Sequence, residues 1–64
     1  MSPKTDVHVK LVGEDGNAFA ILGKTKKALI KAGYKDLAEQ YMKEATSGDY
    51  DHLLAVTQQY VEVE

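Results

Sequence analysis

The chain has 64 residues, a formal net charge of −2 and 44% hydrophobic residues, enough for one small domain with a modest core. It contains no cysteine, which excludes disulfides and thiolate zinc sites, and every basic residue is a lysine. Because arginine is the usual residue for bidentate recognition of phosphates and base edges, its absence disfavours sequence-specific nucleic-acid recognition.

The chain predicts a single domain over residues 1–64, in which residues 1–6 form a disordered tail. This largely polar start leads into no long apolar run, so we expect a cytoplasmic protein without a signal peptide or membrane span. From Asp6 to Gly13 apolar and polar residues alternate, as in a half-buried strand. One side carries Val7, Val9 and Leu11, and the other carries His8, Lys10 and Val12.

Two alternatives are open for the segment after the turn at Gly13 to Asn17. In the favoured one, Asn17 caps a helix from Ala18 to Ala32 that ends at Gly33. In the other, Asp15-Gly16 is a hairpin turn and Ala18 to Leu22 is a second strand. The predicted inner face of the helix, with Phe19 and Ile30 at its flanks, consists of Ala18, Leu22, Thr25, Leu29 and Ala32.

Two further helices follow, each with an amphipathic pattern. The second has an apolar stripe and ends at Gly48, and the third is capped by Asp49. The stripe of the second helix is Tyr34, Leu37, Ala38, Tyr41, Met42 and Ala45. The inner face of the third is Tyr50, Leu53, Leu54, Thr57 and Val61. Alternation returns in Tyr60 to Glu64, which predicts a closing strand.

These elements predict an α+β fold of order β-α-α-α-β, with the terminal strands paired and the helices on one face of the sheet. The hairpin alternative gives β-β-α-α-α-β. In the paired arrangement Glu62 and Glu64 are expected near Lys10 and His8. An unpaired strand edge remains and offers a route to homodimerisation.

Several segments resemble a group of very short, uncharacterised phage and bacterial proteins. They are DGNAFAILG (Asp15 to Gly23), the Ala28-Leu29 and Ala32-Gly33 pairs, EATSGDYD (Glu44 to Asp51) and the terminal Val-x-Val strands. The resemblance covers nearly the whole chain and transfers no functional residue. It implies a free-standing small protein, encoded by a phage or bacterium, with an accessory or binding role.

Charge is sorted along the chain, because residues 24–35 hold five lysines and no carboxylate. On a helix, four of them cluster within an arc of ~80° opposite the apolar face: Lys24, Lys27, Lys31 and Lys35. This polyanion patch has two interpretations, a surface that follows nucleic-acid phosphates or a solvated face whose lysines complement the helix dipole.

The other chemistry-bearing residues predict no site. Tyr34, Tyr41, Tyr50 and Tyr60 are expected in or beside the core. The group Asp49, Asp51 and His52 lacks metal-ligand spacing, and no cofactor fingerprint or nucleophile–base pair is present, so we expect no catalytic residue, metal or cofactor. The sequence therefore predicts a non-catalytic binding protein whose partner is another protein or a second copy. The alternative function is weak, sequence-nonspecific nucleic-acid binding through the lysines.

Overall fold

The computed structural model describes residues 3–14 and 16–64 and has the predicted α+β order. It contains β1 (His8–Val9), α1 (Ala18–Lys31), α2 (Lys35–Ala45), α3 (Tyr50–Tyr60) and β2 (Glu62–Val63). The three helices therefore connect two strands that come from the ends of the described chain.

The two strands pair in parallel, with His8 opposite Glu62. Hydrogen bonding continues beyond the two-residue strands, since the Glu64 amide donates to Val9 and the Leu11 amide donates back to Glu64, at 2.9 and 2.8 Å. The predicted alternation is confirmed on β1, where Val9 and Leu11 are buried while His8 is exposed. The helices cover the apolar face, and the opposite face meets solvent.

Helix α1 begins where the favoured interpretation placed it. The Asn17 side chain accepts a hydrogen bond from the Ala20 amide at 3.1 Å, which satisfies a free donor of the first turn. The hairpin alternative is wrong, because Ala18 to Leu22 is helical. Gly33 has a φ of +93°, a left-handed conformation that suits glycine and ends the helix.

The inner face of α1 differs from the predicted one. Its buried residues are Ile21, Thr25 and Leu29, whereas Ala32 and Phe19 are exposed. The prediction counted apolar residues around one helix, but the true face is set by packing against α2 and β1. The core side of α1 is therefore rotated toward Ile21.

Helices α2 and α3 follow their predicted patterns closely. Ala38, Tyr41 and Ala45 are buried on α2. On α3, the Asp49 side chain accepts from the His52 amide at 2.9 Å, as expected of a cap. The prediction for α3 missed two residues that are also buried, Val56 and Tyr60.

The connection between α2 and α3 depends on a close contact. A Cβ atom on Gly48 would lie only 2.7 Å from the ring of His52, so this position needs a glycine. The His52 ring in turn reaches back to α2, where Nε2 donates to the Glu44 carbonyl at 2.9 Å. The same carbonyl, at the end of α2, also accepts from the Ser47 amide at 3.2 Å and the Ser47 hydroxyl at 2.7 Å.

Part of the predicted disordered tail is attached to the domain. The amides of Lys4 and Thr5 donate to the carbonyls of Gln59 and Tyr60, at 2.8 and 3.2 Å. The buried Thr5 hydroxyl donates to the Tyr60 carbonyl at 2.7 Å. These hydrogen bonds join Lys4 and Thr5 to the end of α3. Residues 1 and 2 lie outside the described residues.

The core contains one polar group without a partner. Thr25 is fully buried, and its hydroxyl has no hydrogen-bond partner among the described residues. Thr57, equally buried, donates to the Leu53 carbonyl and pairs with the Tyr41 hydroxyl, both at 2.8 Å. The two equally buried threonines therefore differ in one respect, because the Thr57 hydroxyl has hydrogen-bond partners and the Thr25 hydroxyl has none among the described residues.

We predict that Thr25→Val raises the free energy of unfolding by about 1 kcal/mol, because it replaces an unpaired buried hydroxyl with a methyl group of the same shape. Thr57→Val is the control and lowers it, because Tyr41 loses its partner. Urea unfolding followed by circular dichroism measures both. A Thr25→Val variant less stable than the wild type would contradict the prediction.

Candidate protein-contact surface

The structure divides the predicted lysine patch between two helices. Lys24, Lys27 and Lys31 lie on α1, but Lys35 is the first residue of α2, after the break at Gly33. The expectation that all four share one helical arc is wrong, because the left-handed Gly33 turns the chain before Lys35. All four side chains are exposed.

Lys24 is already engaged within the domain. Its Nζ lies 3.3 Å from Glu14 Oε1 and 3.3 Å from the Lys10 carbonyl, which it caps. An exposed ion pair of this kind contributes little to stability, but it neutralises part of the charge that a polyanion would meet. The lysine patch is therefore smaller and weaker than the sequence indicated.

A second stripe on α1 points away from the core. At 100° per residue, Phe19, Gly23, Lys26 and Ile30 fall within an arc of ~60°. Phe19 is 89% exposed and Ile30 is 44% exposed, the first being the most exposed of the large apolar side chains described. We call this stripe the outer face of α1.

A shallow groove lies along the outer face, C-terminal to Phe19. It has a volume of about 470 Å³ and is lined by Gly23, Lys24, Lys26, Lys27 and Ile30. Three of its five lining residues are lysines, whose aliphatic stems pack along apolar surface while their ammonium groups stay in water. The groove is thus apolar inside and basic at its rim.

Gly23 is not required by the fold. Its φ is not positive, and a Cβ atom placed on it would meet nothing within 4 Å. A glycine inside a helix costs roughly 1 kcal/mol relative to alanine. Neither the backbone conformation nor the surrounding space within one copy of the domain therefore explains a glycine at this position.

Phe19 borders a second groove. This groove has a volume of about 310 Å³ and is lined mainly by residues of α1, the end of α2 and the start of α3. Among them are Leu22, Ala45, Tyr50 and Leu53. The Phe19 ring therefore lies at the edge of this groove and remains largely exposed to solvent.

The tyrosines are structural, as the sequence predicted. Tyr41 and Tyr60 are fully buried and pack edge to face, with ring centroids 5.4 Å apart. The Tyr60 hydroxyl donates to Glu44 Oε1 at 2.8 Å. Tyr34 and Tyr50 are half-buried at the rim of the core.

The Tyr60–Glu44 pair shifts the titration of both groups. Burial, followed by the hydrogen bond and charge of Glu44, raises the pKa of Tyr60 from 10.0 to about 12. The hydrogen bond from Tyr60, followed by that from Gln40, lowers the pKa of Glu44 below its usual 4.5. The hydrogen bond is strongest while Tyr60 is protonated and Glu44 is ionised, because a charged acceptor strengthens it.

The residues Asp49, Asp51 and His52 do not form a metal site. Asp49 is occupied as the cap of α3, and the His52 ring contacts Ser47 Oγ at 3.2 Å and the Glu44 carbonyl at 2.9 Å. Within residues 3–14 and 16–64, no three histidine or carboxylate side chains come close enough to hold a metal ion. The His52 Nε2 hydrogen is directed to the Glu44 carbonyl.

The paired strands bring two polar side chains together and leave one edge of β2 free. His8 Nδ1 lies 3.0 Å from Glu64 Oε1, which confirms the expected proximity of the two strands' polar side chains. The amides of Glu62 and Glu64 face β1, so the amide and carbonyl of Val63 face outward along the free edge of β2. Val63 itself is 40% exposed.

No family model, no curated protein and no solved structure matches this chain. The resemblance to short phage and bacterial proteins remains a hypothesis. In the part of the chain that the structure describes, no helix is long and apolar enough to cross a membrane.

We predict that the stability advantage of the wild type over Tyr60→Phe depends on pH at both ends. It is largest between about pH 5 and 10. It shrinks as pH rises from 10 through about 12, because the raised pKa of Tyr60 means that ionisation favours the unfolded chain. It shrinks again below pH 4.5, because protonation removes the charge that the lowered pKa of Glu44 reflects.

Urea unfolding across this pH range measures the difference. Tyr34→Phe is the control, since the Tyr34 hydroxyl has no hydrogen-bond partner among the described residues. If the difference in unfolding free energy between the wild type and Tyr60→Phe stays constant from about pH 3 to 12, the hydrogen bond between Tyr60 and Glu44 does not contribute to stability in the predicted way.

Proposed function

We propose that this protein is a non-catalytic accessory protein that acts by contact with another protein surface through the outer face of α1. The single observation that carries the proposal is Phe19, a large aromatic side chain left 89% exposed at the edge of one apolar groove, on the same helix as a second groove. Exposed apolar patches with a polar rim are typical of protein interaction sites, and aromatic anchors supply most of the binding energy at such sites.

A non-catalytic role is supported by what surrounds the polar groups. Tyr60 donates to Glu44, and the hydroxyls of Tyr41 and Thr57 pair with each other, so these polar groups are already engaged in hydrogen bonds. Catalysis needs a nucleophile–base pair or paired carboxylates in a pocket that excludes water, and the described grooves are shallow and open. A cytoplasmic location is part of the proposal, since a chain without cysteine suits a reducing compartment.

The strand edge is a less favourable surface for self-association than the outer face of α1. If two copies paired antiparallel about Val63, Glu62 of each copy would lie opposite Glu64 of the other. Like charges directly opposite each other destabilise a strand pair. The free edge is also only about two residues long, which leaves few hydrogen bonds to form.

Weak, sequence-nonspecific nucleic-acid binding is the second candidate function. The observation in its favour is the exposure of Lys26, Lys27 and Lys31 on α1. Against it stand the engagement of Lys24 by Glu14 and the placement of Lys35 on another helix. Binding of labelled DNA that falls steeply with added salt would support it, as counterion release requires.

We predict that a photo-crosslinking benzophenone amino acid at position 19 gives discrete protein adducts in the cells that encode this protein. The same probe at Ala55, an exposed position on α3, is the control and gives none. The adduct mass identifies the partner, because a second copy doubles the mass of the chain and another protein gives a different increment. Equal, diffuse labelling from both positions would contradict the proposed contact surface.

A further inference from the structure

We infer that the outer face of α1 is covered by α1 of a second copy, crossing antiparallel about a two-fold axis at Gly23. This inference rests on the proposed function, which is protein contact through the same face, and it identifies the partner that covers this face. Three observations carry it: an unexplained glycine, a projecting ring that matches a nearby groove, and the distribution of charge along α1.

The glycine marks the crossing point. Gly23 lies near the middle of α1, between Phe19 and Ile30, with its Cα exposed and open space where a side chain would be. Glycine allows another backbone to approach closely, since it has no Cβ atom. The backbone of a second helix can therefore approach closely at Gly23, whereas the larger side chains on either side keep the two backbones farther apart.

The ring and the groove are related by the same axis. A two-fold axis at Gly23 places each residue opposite the one equally far from Gly23 on the other side. Phe19, four residues before Gly23, then lies opposite Lys27 of the second copy, four residues after it. Lys27 lines the groove that also contains Gly23 and Ile30, so each Phe19 ring enters the groove of the other copy.

This arrangement is self-complementary, as a two-fold interface must be. One helix face supplies both the projecting ring and the recess that receives it. The Lys27 ammonium group comes within reach of the incoming ring, where a cation and an aromatic face attract each other. The contact removes from water the most exposed large apolar side chain described in this domain.

The charges on α1 favour the antiparallel orientation. Its lysines all lie from Lys24 onward, while Ala18 to Leu22 is uncharged and follows Glu14. In the antiparallel crossing, Lys31 of one copy approaches the Glu14 end of the other. The opposed helix dipoles are also favourable. A parallel crossing would place lysines against lysines, and like charges at that distance repel.

The interface is small, because it involves one face of a 14-residue helix. Stable interfaces usually bury at least about 1,200 Å² in total, and smaller ones belong to weak or transient complexes. We therefore expect a dimer that forms reversibly as concentration rises. Sedimentation equilibrium of the full chain, from micromolar to millimolar concentrations, is the appropriate measurement.

Three variants make the test specific. Phe19→Ala raises the dissociation constant at least tenfold, because the ring no longer fills the groove. Gly23→Ala also raises it, because the methyl groups meet at the axis, yet it raises the Tm of the dilute monomer by roughly 4–8 °C by removing a helix-interior glycine. Val63→Ala, an exposed apolar residue on the strand edge, leaves the dissociation constant unchanged and is the control.

A wild-type chain that stays monomeric at millimolar concentration overturns the inference. So does a Gly23→Ala variant that associates as well as the wild type, because the crossing would then lie elsewhere. Weakening by Val63→Ala but not by Phe19→Ala assigns the contact to the strand edge and also overturns it. The proposed function is tested separately. A monomer that still crosslinks from position 19 to a different protein refutes the second copy as the partner, but it leaves the proposed contact surface intact.

Discussion

The fold depends on the packing of one side chain, Tyr60. This residue is fully buried at the end of α3, immediately before the closing strand. Its ring packs edge to face on Tyr41, its hydroxyl binds Glu44 on α2, and its carbonyl receives the hydroxyl of Thr5. The Lys4 ammonium group lies 5.3 Å from the ring centroid. One tyrosine thus holds the N-terminal segment, α2 and α3 together.

A domain of this size needs such a centre. It has no disulfide, and chains near 60 residues bury only ~60% of the surface that their unfolded form exposes. The parallel strands are too short to stabilise each other without the helices. The hydrogen bonds around Tyr60 anchor the start of the chain to the end of α3, and this positions β1 beside β2.

Local signals predicted much of this fold, because they depend on neighbouring residues alone. The caps at Asn17 and Asp49, the end of α1 at Gly33 and the alternation in β1 all reflect backbone groups satisfied within a few residues. The inner face of α1 and the central role of Tyr60 were not predicted. Both are decided by what packs against a helix, and no periodicity within the helix contains that information.

The candidate contact surface was only partly visible in the sequence. The run of lysines drew attention to α1, but the prediction placed Phe19 and Ile30 beside the core and considered only the lysine patch as an exposed face. Gly23 also indicated a special position on α1, because glycine is unfavourable inside a helix and no turn at this position requires it. Residues that conflict with local structural preferences, and that make no compensating contact inside the fold, are expected to lie at functional sites. On α1 there are two of them one turn apart, Phe19 and Gly23.

The most direct test of the account is an isotope-filtered NOE experiment on an equimolar mixture of ¹³C-labelled and unlabelled chains at high concentration. Magnetisation that crosses between labelled and unlabelled copies reports only contacts between molecules. The account predicts NOEs from the Phe19 ring protons of one copy to the Lys27 and Ile30 side chains of the other. Intermolecular NOEs that arise from Val63 instead, or none from Phe19 at a concentration where the chain is dimeric, would contradict it.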